Sequence, residues 1–391
     1  MQFVFMSRLT GVKLKVLSFE SFFCQVDRRC AWQSFVLTVL VVVFQCLALP
    51  LQAQPPRAEH GLVWEASIEA DASNCYSAAV DQLLASYESS VGARLQPGER
   101  GKVALKVDTR SGRGMATPLA LVRAVIDALE QRSFSRDSIM IVGATASDLR
   151  QIGLLPPLSQ SGAFKFAGCE VLAWDSNLHQ DSEWFYDSPL PPAMREKASM
   201  FEGFSGGFDA AESVIDRKSF LPMPLLFEVD FWINLATGVD APALGVDGVL
   251  ASATLWNVSN SQRFLVNPAA ASAAVAEIAA IPELAERWIL NFVSLESYQY
   301  IGGPAFNSQY TRSEPKLWLS SDPVALDRLL YERFNRARRL EGFPEIYPLP
   351  RQFVFAASLG LGVYEKSQIR IQVVGTAGGS NPTALEIITL D

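Results

Sequence analysis

Short apolar runs rich in branched side chains alternate along the chain with stretches whose apolar residues recur every three to four positions. "VALKV" (residues 103–107) and "SIMIVGA" (138–144) read as strands. Between them, "TPLALVRAVIDALEQ" puts Leu119, Val122, Val125, Ile126 and Leu129 on one helical face, with Thr117 and Pro118 at its start. The three segments make a strand–helix–strand unit. "CEVLAW" (169–174) and "LLFEVDFWINLA" (225–236) read as further strands, the second long and apolar enough to lie centrally in a sheet. "ASAAVAEIAAIPELAERWILNFV" (271–293) reads as a helix interrupted at Pro282, and "SQIRIQVVG" (367–375) alternates as a strand does. The expected fold is α/β, a mostly parallel sheet flanked by helices. The stretch 176–224, rich in Pro, Ser, Gly and aromatics, is expected to form an irregular insertion over that sheet.

"SSDPVALD" (320–327) reads as a helix start: Asp322 caps the free amides and Pro323 fits the first helical position. Asp327 is not needed for capping. It lies at the edge of the stripe formed by Leu326, Leu330, Phe334 and Ala337, where it either pairs with Arg123 or Arg328 or fixes a ligand-holding group from behind. "TPLALVR" and "DPVALDR" echo each other, as two half-units would or as two proline-started helices do.

The 391 residues are 49% apolar and 19% charged, enough to bury a sizeable core. The formal charge is −8; without the first 53 residues, which hold five of the 33 basic and two of the 41 acidic residues, it is −11. An acidic body without a basic run argues against nucleic acid and against an anionic membrane face. From Cys30 to Leu51 there is no charged residue; Arg28 and Arg29 precede the apolar core, and Ala53 suits a cleavage site. Residues 1–53 therefore read as an export signal, or as an uncleaved anchor spanning residues 30–51, with 54–391 as the α/β domain. "DRRCAWQ" lacks the hydrophobic residues that would follow a twin-arginine pair. The protein is expected to be exported, touching membrane only through this segment.

Three of the five cysteines lie in that segment, leaving Cys75 and Cys169, which either pair in an oxidising compartment or stand as separate thiols. Two cysteines cannot build a four-cysteine iron–sulfur site, and no iron–sulfur cluster is expected. With only His60 and His179 in the chain, any metal site is expected to be built from carboxylates.

In order, "ALKVD", "TPLALVRAVIDAL", "MIVGA", "VDFWINLATG", "GVDGVLASATLWNVSN", "GGPAF", "SSDPVALD" and "LGLGVYEKSQIRIQVVG" resemble the domain of unknown function 362 family, over about residues 103–375. The resemblance brings no established activity; some relatives carry ferredoxin-type cluster motifs, which this chain lacks. Where the family shows Lys-Pro-Asn, this chain has Lys106, Val107 and Asp108. "NLATGVDAP" lacks the family's Lys and His, and Trp256 with Asn257 stands in place of a Lys-Asn pair.

Ligands of open α/β sheets bind beyond the carboxyl ends of the strands. Lys106, Asp108 and Asp322 are catalytic candidates on that ground and Asp327 as the helix-flank acid that capping does not need, with Asn234, Asp247 and Asn257 the substrate-binding ones. Such a set suits a small anionic substrate or a divalent cation. Each residue also has a plain structural reading: a salt bridge for Lys106, a cap for Asp322, turn hydrogen bonds for the asparagines. "GFSGG" (203–207) lacks a preceding strand for a serine elbow, "GTAGGS" (375–380) does not continue as a dinucleotide fingerprint, and "NVS" at Asn257 is a glycosylation sequon. The functions left open are an exported enzyme acting on a small anionic molecule and a non-catalytic envelope binding or scaffold protein.

Overall fold

A computed structural model describes residues 57–68, 75–159, 164–175, 179–187, 217–375 and 386–389, the last in backbone only. Residues 1–53, expected to be an export signal or anchor, lie outside the described residues, as do "GFSGG" and nearly all of "GTAGGS". No helix among the described residues is long and apolar enough to cross a membrane.

In chain order the elements are β1 (Leu62–Ser67), α1 (Ser77–Val91), β2 (Val103–Val107), α2 (Leu119–Glu130), β3 (Ile139–Gly143), α3 (Ala146–Ile152), β4 (Lys165–Phe166), β5 (Cys169–Ala173), β6 (Phe185–Asp187), β7 (Lys218–Phe220), β8 (Phe231–Ala241), β9 (Gly245–Asp247), α4 (Val249–Ala253), α5 (Pro268–Ala279), α6 (Pro282–Ala285), β10 (Trp288–Gln299), β11 (Thr311–Arg312), β12 (Lys316–Ser320), α7 (Pro323–Leu340), α8 (Arg351–Ser358), β13 (Arg370–Val374) and β14 (Glu386–Thr389). The main sheet runs β14-β13-β1-β12-β10-β8-β2-β3-β5-β4, with β9 on β8 and β11 on β10. Its centre, β10-β8-β2-β3-β5, is parallel throughout. The fold is thus an α/β fold with a mixed, mostly parallel sheet between helices. Its first strand, β1, sits between β13 and β12 and lies before the segments that carry the family resemblance.

Strand alternation sorts the core into two layers. Val103, Leu105 and Val107 of β2 face α1, α2 and α3, and Ala104 faces the side covered by α4, α5, α7 and α8. Two sequence expectations shift. The strand expected over 225–236 is a wide helical turn at Pro224–Glu228 followed by β8, which runs on to Ala241. The helix expected over 271–293 ends at Ala285, and Trp288 onward is strand β10. Positions Trp288–Leu295 are all buried, and a segment apolar on every side carries no period to separate helix from strand. In the described part of the insertion, β6 and β7 pair as a separate two-stranded ribbon.

The chain leaves β2 through α2 to β3 and then β5 on one side, and returns to β8 on the other side of β2. At such a reversal open α/β sheets place their ligand crevice, here beyond the carboxyl ends of β2 and β8.

Candidate functional site

Lys106, the penultimate residue of β2, points to the α4 side and is 1% exposed. Its ammonium donates to the Val107 carbonyl at 2.9 Å and to Ser252 Oγ at 3.4 Å, and it forms no ion pair with a described carboxylate. The surface salt bridge expected of it is absent, because β2 is covered on both faces. Burial pulls its pKa down to about 8, the charge of Arg110 pulls the same way, and Asp108 and Asp247 oppose them. Ser252 donates its own proton to Asn234 Oδ1 at 3.0 Å, so the lysine and serine are not arranged as base and nucleophile.

Lys106 opens a row of polar side chains that crosses the sheet in register: Lys106 opposite Asn234, Asn234 opposite Asn291, Asn291 opposite Ser320. Asn234 donates to the Val249 carbonyl at 3.1 Å and to Asn291 Oδ1 at 3.4 Å. Its amide is therefore consumed in docking α4 on the sheet.

Asp327 fastens the same helix from the other side. Fully buried, it accepts the amides of Val249 at 2.6 Å and Leu250 at 3.0 Å, the first two residues of α4. It pairs with neither arginine proposed from the sequence: Arg123 lies over the Phe166 ring and Arg328 bonds Glu332. Its effect on the crevice is one of positioning. The chain entering α4 carries Asp247 and the chain leaving it carries Trp256, and these two hold Arg110 between them.

Arg110 follows β2 by three residues. Its Nη1 bonds Asp247 Oδ2, its guanidinium lies 4.2 Å from the Trp256 ring, and Trp256 Nε1 donates to Asp247 Oδ1 at 3.0 Å. Burial pushes Asp247 up to about 6 against the pull of Arg110, with the Asp108 charge adding to the rise. Asp108 folds the loop: its Oδ1 accepts the Arg110 amide at 3.3 Å, an Asx-type turn, and its Oδ2 accepts the Thr237 hydroxyl at 3.1 Å. The Gly112 amide returns to the Thr109 carbonyl at 3.2 Å, with Gly112 at φ +78°, a conformation that glycine adopts without strain.

Lys106, Asp108 and Asp247 therefore come together at the carboxyl ends of β2 and β8, with Asp327 holding α4 beside them and Asn234 bonded to Ser252. Two predicted residues are elsewhere. Asn257 is fully buried, accepts from Trp174 Nε1 at 2.7 Å and donates to the Ala253 carbonyl at 3.1 Å, so its sequon is closed to a glycan in the folded chain. Asp322 caps α7 through the Ala325 amide at 2.8 Å and also accepts the amides of Gly61 at 2.9 Å and Val363 at 3.0 Å, clasping three segments. Its hydrogen bond raises the pKa of the half-exposed His60 beside it. Cys75 and Cys169 are both free: Cys75 neighbours Glu296 of β10, whereas Cys169 starts β5, four strand spacings or about 19 Å away. Among the described residues no three His, Cys, Asp or Glu side chains are grouped to hold a metal ion.

Sequence reasoning missed Thr109, Arg110, Ser111 and Thr237. The signal was present in "DTRSG", a polar turn directly after a parallel strand.

No protein-family model and no curated protein matches the chain. A crystal structure of a protein from Thermotoga maritima resembles it at TM-score 0.32 and 10% identity, over 63% of this chain and 55% of that one. The chain matches about half the length of that protein, and a likeness this slight bears on neither fold nor function.

Proposed function

We propose that this is an exported α/β protein that binds a small anionic molecule in the crevice between β2 and β8, and a divergent relative of the domain of unknown function 362 family. One observation carries the reading: the crevice holds a buried lysine without an acid partner beside an arginine bonded to an acid through one nitrogen only. Buried cations are strongly disfavoured unless paired, and an anion seated at the strand-order reversal would pair them. Kinship rests on the order of the segments from "ALKVD" to "LGLGVYEKSQIRIQVVG", and export on the uncharged run 30–51 behind Arg28 and Arg29.

The geometry favours binding over turnover. Asp322, Asp327, Asn234 and Asn257 are all consumed in internal hydrogen bonds, and Lys106 has no nucleophile to activate. The test is a melt of the purified protein with a panel of small carboxylates and phosphate esters, against chloride at equal ionic strength. A ligand at about 100 times its Kd stabilises by about 2.7 kcal/mol, which is a shift of several degrees for a chain of this size. A shift lost in Lys106→Met supports the reading; no shift with any anion leaves a scaffold role.

A further inference from the structure

Among the described residues eight buried side-chain nitrogen or oxygen atoms lack a hydrogen-bond partner, and four of them fall in three consecutive residues: Thr109 Oγ1, Arg110 Nε, Arg110 Nη2 and Ser111 Oγ. The rest are scattered over Trp64, Arg263, Arg333 and Gln352. Orphaned buried donors are penalised wherever they occur, so a concentration of them in one turn at a ligand-binding crevice calls for an acceptor. Neighbouring carboxylates do not supply it. Asp247 is occupied by Arg110 Nη1 and Trp256, and Asp108 by the Arg110 amide and Thr237.

We propose that the turn from Thr109 to Gly112 is an oxyanion cradle, in which Arg110, Thr109 and Ser111 grip a carboxylate or phosphate group of the ligand. This deepens the small-anion reading above and rests on it. The guanidinium is held on two sides, by Asp247 at Nη1 and by the Trp256 ring against its flat face, so its orientation is set before a ligand arrives. What is left over is the Nε–Nη2 edge, two parallel N–H groups whose spacing matches two oxygens of a carboxylate or a phosphate. The hydroxyls of the residues on either side add one donor each. Thr109 and Ser111 are only 2% and 5% exposed, and an anion seated there exchanges orphaned donors for bonded ones. Lys106, buried behind the turn, adds positive charge.

The test compares sodium phosphate and sodium succinate with sodium chloride at matched ionic strength. Binding is followed by calorimetry and thermal melting on the full chain, in the wild type, Arg110→Lys, Thr109→Val and Ser111→Ala. Thr109→Val and Ser111→Ala are expected to leave the melt without anion unchanged or raised, because neither hydroxyl loses a partner, and to weaken anion binding about ten-fold each. Arg110→Lys keeps the charge but loses the two-pronged edge, and is expected to abolish the response. Whichever of phosphate and succinate binds more tightly identifies the group gripped. A melt lowered by several degrees in Thr109→Val or Ser111→Ala overturns the proposal, since the hydroxyls would then have internal partners. So does an anion response that survives in all three variants; if that response is nevertheless lost in Lys106→Met, the crevice reading stands and the cradle alone falls. No response to either anion in the wild type overturns both.

Discussion

Asp327 can be tested through its charge as well as its shape. Asparagine keeps the volume and one acceptor but turns an NH2 group toward one of the two α4 amides, and a buried amide left unmet costs about 1–3 kcal/mol. Alanine leaves both amides unmet and costs about 2–5 kcal/mol. Ionisation works on the wild type in the opposite sense. Burial drives the carboxyl from 3.8 up to about 8, against the pull of the two amides. The folded state thus keeps a proton that the unfolded chain releases. The stabilising contribution is complete below about pH 4 and is lost as pH rises through about 8. Within that window the two states differ by one proton, so the contribution declines by about 1.4 kcal/mol per pH unit, or about 3 kcal/mol between about pH 5 and pH 7. Asparagine does not titrate and lacks this decline. Asp327→Asn is expected to be the less stable protein near pH 4, with the gap closing and then reversing as pH rises toward 8. Urea unfolding followed by tryptophan fluorescence at stepped pH measures it, and the titration of Lys106, common to both proteins, largely cancels in the difference. Parallel stability curves, or an asparagine variant equal to the wild type near pH 4, would refute the argument.

Burial lowers Lys106 from 10.5 to about 8, so its favourable contribution is present above about pH 10 and lost as pH falls through 8. Lys106→Met is therefore expected to gain about 3 kcal/mol on the wild type over that descent, read from melting temperatures at the two ends; a uniform loss of stability counts against it. A Cβ at Gly362 would sit 1.9 Å from Asp322 Oδ1, so Gly362→Ala has to displace the clasp on Gly61, Ala325 and Val363. It is expected to cost about 3 kcal/mol or more, and a melt within a degree of the wild type would contradict the clasp. Denaturation in an alkylating agent without reductant is expected to label both Cys75 and Cys169; a linked peptide in the mass spectrum would be the contrary result.

The strand–helix–strand unit from Val103 to Gly143 is legible because its helix has one apolar face and its strands are short branched runs with polar borders. β1 was not, since "LVWEAS" is too brief and mixed to stand out until β12 and β13 flank it. Lys106, Asp108 and Asp247 were identified from their place after strands, and they do meet. The roles of Asp327 and Asn257 were hidden for a common reason. Asp327 bonds amides 78 and 77 residues away, and Asn257 bonds an indole 83 residues away, separations that no local pattern encodes. Arg110 was passed over because a single arginine in a turn looks like ordinary surface until Asp247 and Trp256 close around it.

The position of β1 also bears on how the chain can be made. Its two neighbours come from residues 316–320 and 370–374, so the earliest strand of the sheet waits for some of the latest residues before either of its edges is hydrogen-bonded. Such pairing closes loops of several hundred residues and belongs to the slow, high-contact-order end of folding. During synthesis the nascent strand keeps two bare edges, available to other chains or to a holding chaperone, until the last third of the domain has emerged. Under the export proposed above, a sheet that cannot close early would keep the chain threadable while it crosses a membrane.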